Sequence, residues 1–458
     1  MSAWEAAGAR LAAGEASLVS LWAEPGAVHL ALLEAGALHH LAHDCPTGRF
    51  PSLARVHPPA LRLERAVQDL FGFVAEGLPD PRPWLVHGTT ATPYRFLPVE
   101  GENLHEIAVG PVHAGIIEPG HFRFTCDGET VVRVEERLGY VHRGVEALMA
   151  GAALPLAAQR AGRMSGDSTV AYALAFALAA EQASGTAPPA RAVWLRALMA
   201  EIERLANHLG DVGAICNDAA FALMHAHCAI LRERVLRASA ACFGHRLMID
   251  GVVPGGVARD LSPAGVALLA GLAHEIRAAF APLARLYDMT ASLQDRTVGT
   301  GILHPDLARQ FAAGGYVGRA SGRDFDARRT PGYPPYEQLA FTVPVLREGD
   351  VNARIMIRIR EIGETLGLIE QILARLPEGP IRAAWRQTRG EGMALVEGFR
   401  GDVFVWLRLE GETVARCHLR DPSWFQWPLL EAAIEGNIIA DFPLCNKSFN
   451  CAYAGHDR

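Results

Sequence analysis

The sequence predicts an α+β protein: a small α/β unit, then a mainly helical bundle with β-strands at its edge. Residues 353–376 set Ile355, Ile359, Ile362, Leu366, Ile369, Leu373 and Leu376 in alternating steps of four and three, and Pro377 ends the run. That spacing puts every apolar side chain on one face of a helix. Residues 191–209 repeat the pattern, with Leu195, Leu198, Ile202, Leu205 and Leu209 on one stripe and Arg196, Glu203 and Arg204 off it. Near the start, 18–22 and 28–33 are apolar runs of strand length separated by the turn-forming Pro25-Gly26.

The other elements follow in order. A helical pattern over 63–73 gives way to Pro79, Pro81 and Pro83, which impose an extended path. Residues 93–110 read as a connection. Strands are expected at 122–125 and 130–134, around the turn Asp127-Gly128. Residues 171–183 are alanine-rich and apolar on nearly all sides, as in a helix enclosed by a bundle. Residues 403–409 and 413–419 flank Glu410-Gly411-Glu412 as a hairpin. The chain therefore divides into a domain over 1–92, a linker over 93–106 and a main domain over 107–458.

Composition excludes several classes of function. The 458 residues carry a formal net charge of −7, which offers no basic field to nucleic acid. No run approaches the ~20 consecutive apolar residues of a membrane span, and Glu5, Glu15 and Glu24 interrupt the first apolar stretches, against a secretory leader. Any link to a membrane is expected to run through partner subunits. The eight cysteines form no CxxC pair, which argues against a zinc ribbon, a ferredoxin-type cluster or a thioredoxin motif in this chain. Reduced thiols are the expectation.

Several stretches carry a family resemblance. Glu64-Arg65-Ala66-Val67-Gln68-Asp69-Leu70-Phe71-Gly72, with Glu76-Gly77 and Pro79-Asp80 after it, resembles the signature of the 30-kilodalton subunit of complex I. Gly110-Pro111-Val112-His113-Ala114-Gly115-Ile116-Ile117-Glu118-Pro119-Gly120-His121-Phe122-Arg123-Phe124 resembles the opening of group 4 [NiFe] hydrogenase large subunits. Glu136-Arg137-Leu138-Gly139-Tyr140-Val141-His142-Arg143-Gly144-Val145-Glu146 is similar to a motif shared with the 49-kilodalton subunit of complex I. Glu203-Arg204-Leu205-Ala206-Asn207-His208-Leu209, Val253-Pro254-Gly255-Gly256-Val257 and the closing Asp457-Arg458 continue the pattern in order.

The resemblance implies four nickel-binding thiolates, and the sequence departs from it there. Where the first pair should stand, the chain reads Arg163-Met164-Ser165-Gly166-Asp167-Ser168, with hydroxyls at Ser165 and Ser168. Soft thiolates suit such nickel; a hard hydroxyl that stays protonated at neutral pH does not replace them. The histidine that usually follows is Tyr172, and Cys445 and Cys451 have five residues between them instead of two. No metal is expected in this chain.

What the resemblance leaves is a cavity in which complex I passes electrons to quinone. It implies His121 as the quinone-contacting histidine and Asp218 as a nearby acid. The quinone-contacting tyrosine falls on Gly166, with Tyr172 or Ser165 as substitutes, and Glu118 matches the glutamate through which hydrogenases pass protons. The implied assembly contains an iron–sulfur small subunit holding a 4Fe-4S cluster, and a membrane arm, on the cytoplasmic face of the membrane. The donor (ferredoxin, NADH or formate) would act on other subunits. The implied function is electron transfer to a quinone-like acceptor, with no cofactor tightly bound in this chain; the alternatives are a structural coupling subunit and, more remotely, a hydrogenase with altered ligands.

Blander readings stand beside these. His113 and His121 also suit hydrogen-bonded core histidines, and Glu118 a buried ion pair. Asp167 suits an N-cap of the alanine-rich helix. Cys445 and Cys451 suit ordinary buried thiols, and His142-Arg143 with Glu146 a structural salt bridge.

Overall fold

The computed structural model describes residues 2–85, 94–114, 117–386 and 388–458. The start of the predicted linker at Pro93, and Gly115-Ile116 within the 110–124 motif, lie outside the described residues. After α1 (Ala3–Ala13), three antiparallel strands β1 (Ala16–Glu24), β2 (Ala27–Glu34) and β3 (Ala37–Asp44) form a meander. Gly26 takes φ 88° at the first turn, where an L side chain would be strained. The sequence pattern marks β1 and β2 but not β3, whose Leu38-His39-His40-Leu41 interior lacks a clean apolar alternation. Helix α2 (Leu61–Phe71) ends on Gly72 in the left-handed conformation.

A second meander of β4 (Leu104–Val109), β5 (His121–Asp127) and β6 (Thr130–Arg137) follows. Strand β4 lies inside the segment that reads as a connection; its alternation Leu104, Glu106, Ala108 is too weakly apolar to stand out. Next comes α3 (Thr169–Ser184), buried along nearly its whole length. A four-helix bundle is built from α4 (Ala190–Asp218), α5 (Ala222–Phe243), α6 (Pro263–Met289) and α7 (Val351–Arg375). The short turn between α4 and α5 makes them neighbours. Helix α6 is long and apolar enough to cross a membrane by length and composition, yet it packs on the bundle through Leu269, Ala273, Ile276, Phe280, Leu283 and Tyr287, another four–three stripe.

The predicted hairpin is β8 (Asp402–Gly411) with β9 (Thr413–Arg420), and β7 (Thr388–Glu397) pairs along the far side of β8. Helix α3 fits between this sheet and the bundle: Gly390 and Gly392 of β7 meet the α3 backbone so closely that an added Cβ would lie 2.2 and 2.0 Å from the carbonyl oxygens of Ala183 and Ala179. Three helices, α8 (Ser423–Ile434), α9 (Phe442–Phe449) and α10 (Tyr453–Asp457), then bring the chain back across the mouth of the bundle.

Inside the bundle the charges are paired in a line. His208 bonds Glu361 at 2.7 Å, Glu361 pairs with Arg319 at 2.7 Å, and Arg319 with Glu397 at 2.8 Å. Arg328 holds Asp326 at 2.6 Å and Glu201 at 3.0 Å. All are buried, and multiple pairing offsets the cost of taking such charges out of water.

The N-terminal meander closes onto the β7–β9 sheet along a seam. Trp22 stacks on His418 with ring centroids 4.7 Å apart and lies against Phe404 and Trp406. Ser20 Oγ meets His418 Nε2 at 2.7 Å. Glu146 pairs with Arg416 at 2.9 Å, His418 at 2.9 Å and Arg458 at 3.0 Å. The bridge expected among His142, Arg143 and Glu146 is therefore not formed: His142 turns to the Asp457 carbonyl, Arg143 to those of Arg163 and Met164.

Candidate functional site

At the end of the bundle nearest the C-terminal helices lies a cleft of about 1060 Å³. One wall is α4, through Asn207, Asp211 and Asp218; another is α5, through His225, Arg232 and Glu233. The loop with His113 and Glu118 and the turn with Ser165 and Asp167 form the third side, and Lys447, Asn450, Cys451 and Tyr453 of the returning chain form the fourth.

The Ser165–Ser168 turn is held by groups that no sequence motif nominates. Arg400, on the Gly398–Gly401 loop between β7 and β8, pairs with Asp167 at 2.6 Å and donates to Ser168 Oγ at 3.2 Å. Its Nε donates to the Asn450 carbonyl. Ser165 Oγ donates to the other Asp167 oxygen at 2.6 Å. Burial raises the Asp167 carboxyl, but the Arg400 charge and these hydrogen bonds outweigh it and hold Asp167 below the usual carboxylate range. Asp167 is thus an ion-pair partner and not the cap of α3. The exposed N–H groups of α3 are met by Glu203 of α4, which accepts from Val170 at 2.7 Å and Ala171 at 3.1 Å. Burial pushes the Glu203 carboxyl up to about 8 in spite of those two donors.

Of the sequence candidates, Glu118, Ser165 and Asp218 meet around this cleft. Glu118 is exposed, and its carboxylate accepts from the Ala454 N–H at 2.9 Å, so it is not a buried ion-pair member. Asp218 is half-buried, and burial raises its carboxyl against the pull of Lys447. Gly166, in the same turn, lines a small neighbouring cavity with Glu203 and Asn207, and an added Cβ there would meet nothing within 4 Å. Ser168 is spent on Arg400.

Two candidates lie elsewhere. His121 is buried in β5, its ring against Phe96 at 5.1 Å and its Nδ1 3.3 Å from the Gly110 carbonyl; it is not among the lining residues. His113 is the histidine that lines the cleft from the loop. Strand alternation explains the exchange: β5 starts at residue 121 and turns its ring away, while His113 stays on the loop. Tyr172 is buried in α3 and its hydroxyl donates to Asp421 at 2.6 Å, so it is not free to replace a cavity donor.

The side chains at the thiolate positions do not fit nickel. Ser165 and Ser168 offer hydroxyls already engaged with Asp167 and Arg400. Cys445 is buried near Arg354, away from the cleft lining, and burial raises its thiol to about 11. Cys451 lines the cleft but Cys445 does not, so no pair of thiols among the described residues faces it. The signal for Arg400 is an arginine between two glycines in a short loop between strands; nothing local links it to residue 167. Asn450 bonds Asp211 at 3.0 Å and takes φ 48°, a left-handed helix end that asparagine tolerates.

The cleft thus lies at the end of a helical bundle, is closed by the chain's own returning C-terminal helices, and has hydroxyls at Ser165 and Ser168. Residues 218–389 and 384–458 match the family model of the respiratory-chain NADH dehydrogenase 49 Kd subunit, and residues 27–99 match that of the 30 Kd subunit. The chain belongs to the 49-kilodalton family, with a 30-kilodalton-type segment ahead of it. Formate hydrogenlyase subunit 5 of Escherichia coli (strain K12) is 30% identical over 91% of this chain and 78% of its own length. An NADH-quinone oxidoreductase subunit of Roseiflexus sp. (strain RS-1) is 32% identical over 73% of this chain and 94% of its own. Among solved structures, a chain of the membrane-bound sulfane sulfur reductase, an archaeal respiratory membrane complex, superposes with TM-score 0.74 at 25% identity, over 78% of this chain and 99% of that one.

Proposed function

We propose that this chain is the acceptor-side subunit of a membrane-associated, ion-translocating oxidoreductase complex. Electrons arrive from a 4Fe-4S cluster in a neighbouring iron–sulfur small subunit and pass to a quinone-like acceptor in the cleft, without nickel. The chain sits peripherally on the cytoplasmic face and meets the membrane arm through protein contacts. One observation carries the reading: the thiolate positions are hydroxyls closed by the Asp167–Arg400 pair, while a cleft large enough for a small organic acceptor is kept beside them. In that cleft Glu118, His113 and Asp218 supply the polar groups, and the buried, hydrogen-bonded turn supplies a fixed floor. His121 and Tyr172 have no part in it.

A second reading, a coupling subunit that reduces nothing, is favoured by Gly166, which has no hydroxyl to offer a quinone oxygen. The two separate by experiment. The purified complex is analysed for nickel and iron, assayed for hydrogen uptake and titrated with a soluble naphthoquinone. Iron without nickel, no hydrogen uptake and saturable binding in the micromolar range are expected. Stoichiometric nickel would overturn the nickel-free reading, and absence of naphthoquinone binding would leave the coupling role.

A further inference from the structure

The chain contains 43 lysine and arginine residues, and all but one are arginine. The single lysine, Lys447, lies on α9 in the wall of the cleft. The lasting cations of the bundle and the seam are guanidinium groups: Arg319, Arg328, Arg358, Arg400, Arg416 and Arg458 each grip carboxylates in the core. Arginine suits that task because its planar fork holds two oxygens at once and never gives up its proton. Lysine differs on both counts: it is a compact point charge with three movable donors, and it can release a proton. Lys447 is half-buried and joins none of the ion pairs formed among the described residues. Its charge is felt by Asp218 across the cleft, on the last turn of α4.

We propose that Lys447 is the proton donor to the reduced acceptor in the cleft it lines. This rests on the reading of the cleft as an acceptor site. A quinone-like acceptor that takes two electrons, one at a time, from the neighbouring iron–sulfur cluster must also take two protons. In the step assigned here an N–H bond of the Lys447 ammonium breaks and an O–H bond forms on the reduced acceptor. This leaves a neutral amine, which regains its proton from water at the open side of the cleft. The second proton also comes from that water. A guanidinium at this place would attract the reduced acceptor equally well but could not complete the transfer. The other charged and titratable groups facing the cleft are Asp218 and Asp211 of α4, His225, Arg232 and Glu233 of α5, His113 and Glu118 of the loop, Cys451 and Tyr453 of the returning chain, and the Asp167–Arg400 pair. Of these, Asp211, Glu233, Asp167 and Arg400 are committed to ion pairs of their own.

The test uses the intact complex. Reductive methylation with formaldehyde and cyanoborohydride, read by mass spectrometry, should modify Lys447 in the wild type, and bound naphthoquinone should protect it. K447R and K447Q should each lower kcat for naphthoquinone reduction by about 100-fold, the range expected for loss of a general acid. K447R should still bind naphthoquinone. A K447R complex with wild-type kcat would overturn the proposal while leaving the acceptor site standing. A wild-type complex that neither binds naphthoquinone nor shows protection would overturn the acceptor reading itself and this inference with it.

Discussion

The seam around Trp22 and the cleft around Lys447 are built from the same kinds of side chain and behave in opposite ways. In the seam, indole and imidazole rings stack without a gap, and the Glu146 carboxylate is held by three groups at once. In the cleft, Asp218, His225, Arg232 and Lys447 face a shared space and none of them joins an ion pair among the described residues. A region that only joins two parts of a chain can satisfy every charge. A region that must receive something has to leave charges waiting, which is what the proposed acceptor site requires.

The comparison is broken most directly at Glu146. Burial raises its carboxyl, but His418, Arg458 and Arg416 outweigh that and keep it well below the ordinary range. Glu146→Ala leaves two buried guanidinium groups without a counter-charge and should cost about 3–5 kcal/mol, seen as a lower denaturant midpoint. An unchanged midpoint would mean that the seam is not what holds the meander in place.

A smaller effect with a definite sign is expected at Glu203, beneath the cleft. The folded chain keeps its proton up to about 8, whereas the ordinary value is 4.5. Between those two values the unfolded chain binds fewer protons than the folded one, so Glu203 makes stability fall as pH rises through that window. Glu203→Gln keeps an oxygen for the α3 amides and removes the titration. It should match the wild type at pH 4.5 and gain up to about 4 kcal/mol at about pH 8, measured by urea unfolding at both values. Parallel pH dependence in the two proteins would contradict the assignment.

The smallest effect is expected at Asp218. Asp218→Asn should change stability by less than about 0.5 kcal/mol, as for a half-exposed side chain outside any buried network, while lowering kcat for naphthoquinone reduction by the intact complex. A large loss of stability would place Asp218 with the seam and not with the cleft.

Much of the fold was legible because it is periodic. The four–three stripes of α4 and α7 read directly as helices, and the apolar alanine-rich stretch as the enclosed α3. Strands β3, β4 and β7 were not legible, since His39, His40, Glu106, Arg389 and Glu391 interrupt their apolar character and only pairing to a neighbour makes them strands. The site divides in the same way. The loss of thiolates at Ser165 and Ser168 was visible in a local motif. The partner that closes that turn, Arg400, lies 233 positions away from Asp167 in sequence, and only the fold brings them to 2.6 Å. His121 and His113 were inseparable in sequence, because which of them belongs to a strand is decided by where β5 begins.

The line of paired charges inside the bundle has a mechanical consequence. Each guanidinium reads particular carboxylates on other elements: Arg319 spans from Glu361 on α7 to Glu397 on β7, Arg328 reaches Glu201 on α4, and Arg358 of α7 holds Asp211 of α4. Sliding α4 past α7 by one turn would separate the His208–Glu361 and Arg358–Asp211 pairs together, with each break exposing a charge to a medium that cannot solvate it. The helices are therefore keyed to one register, as the teeth of a rack are.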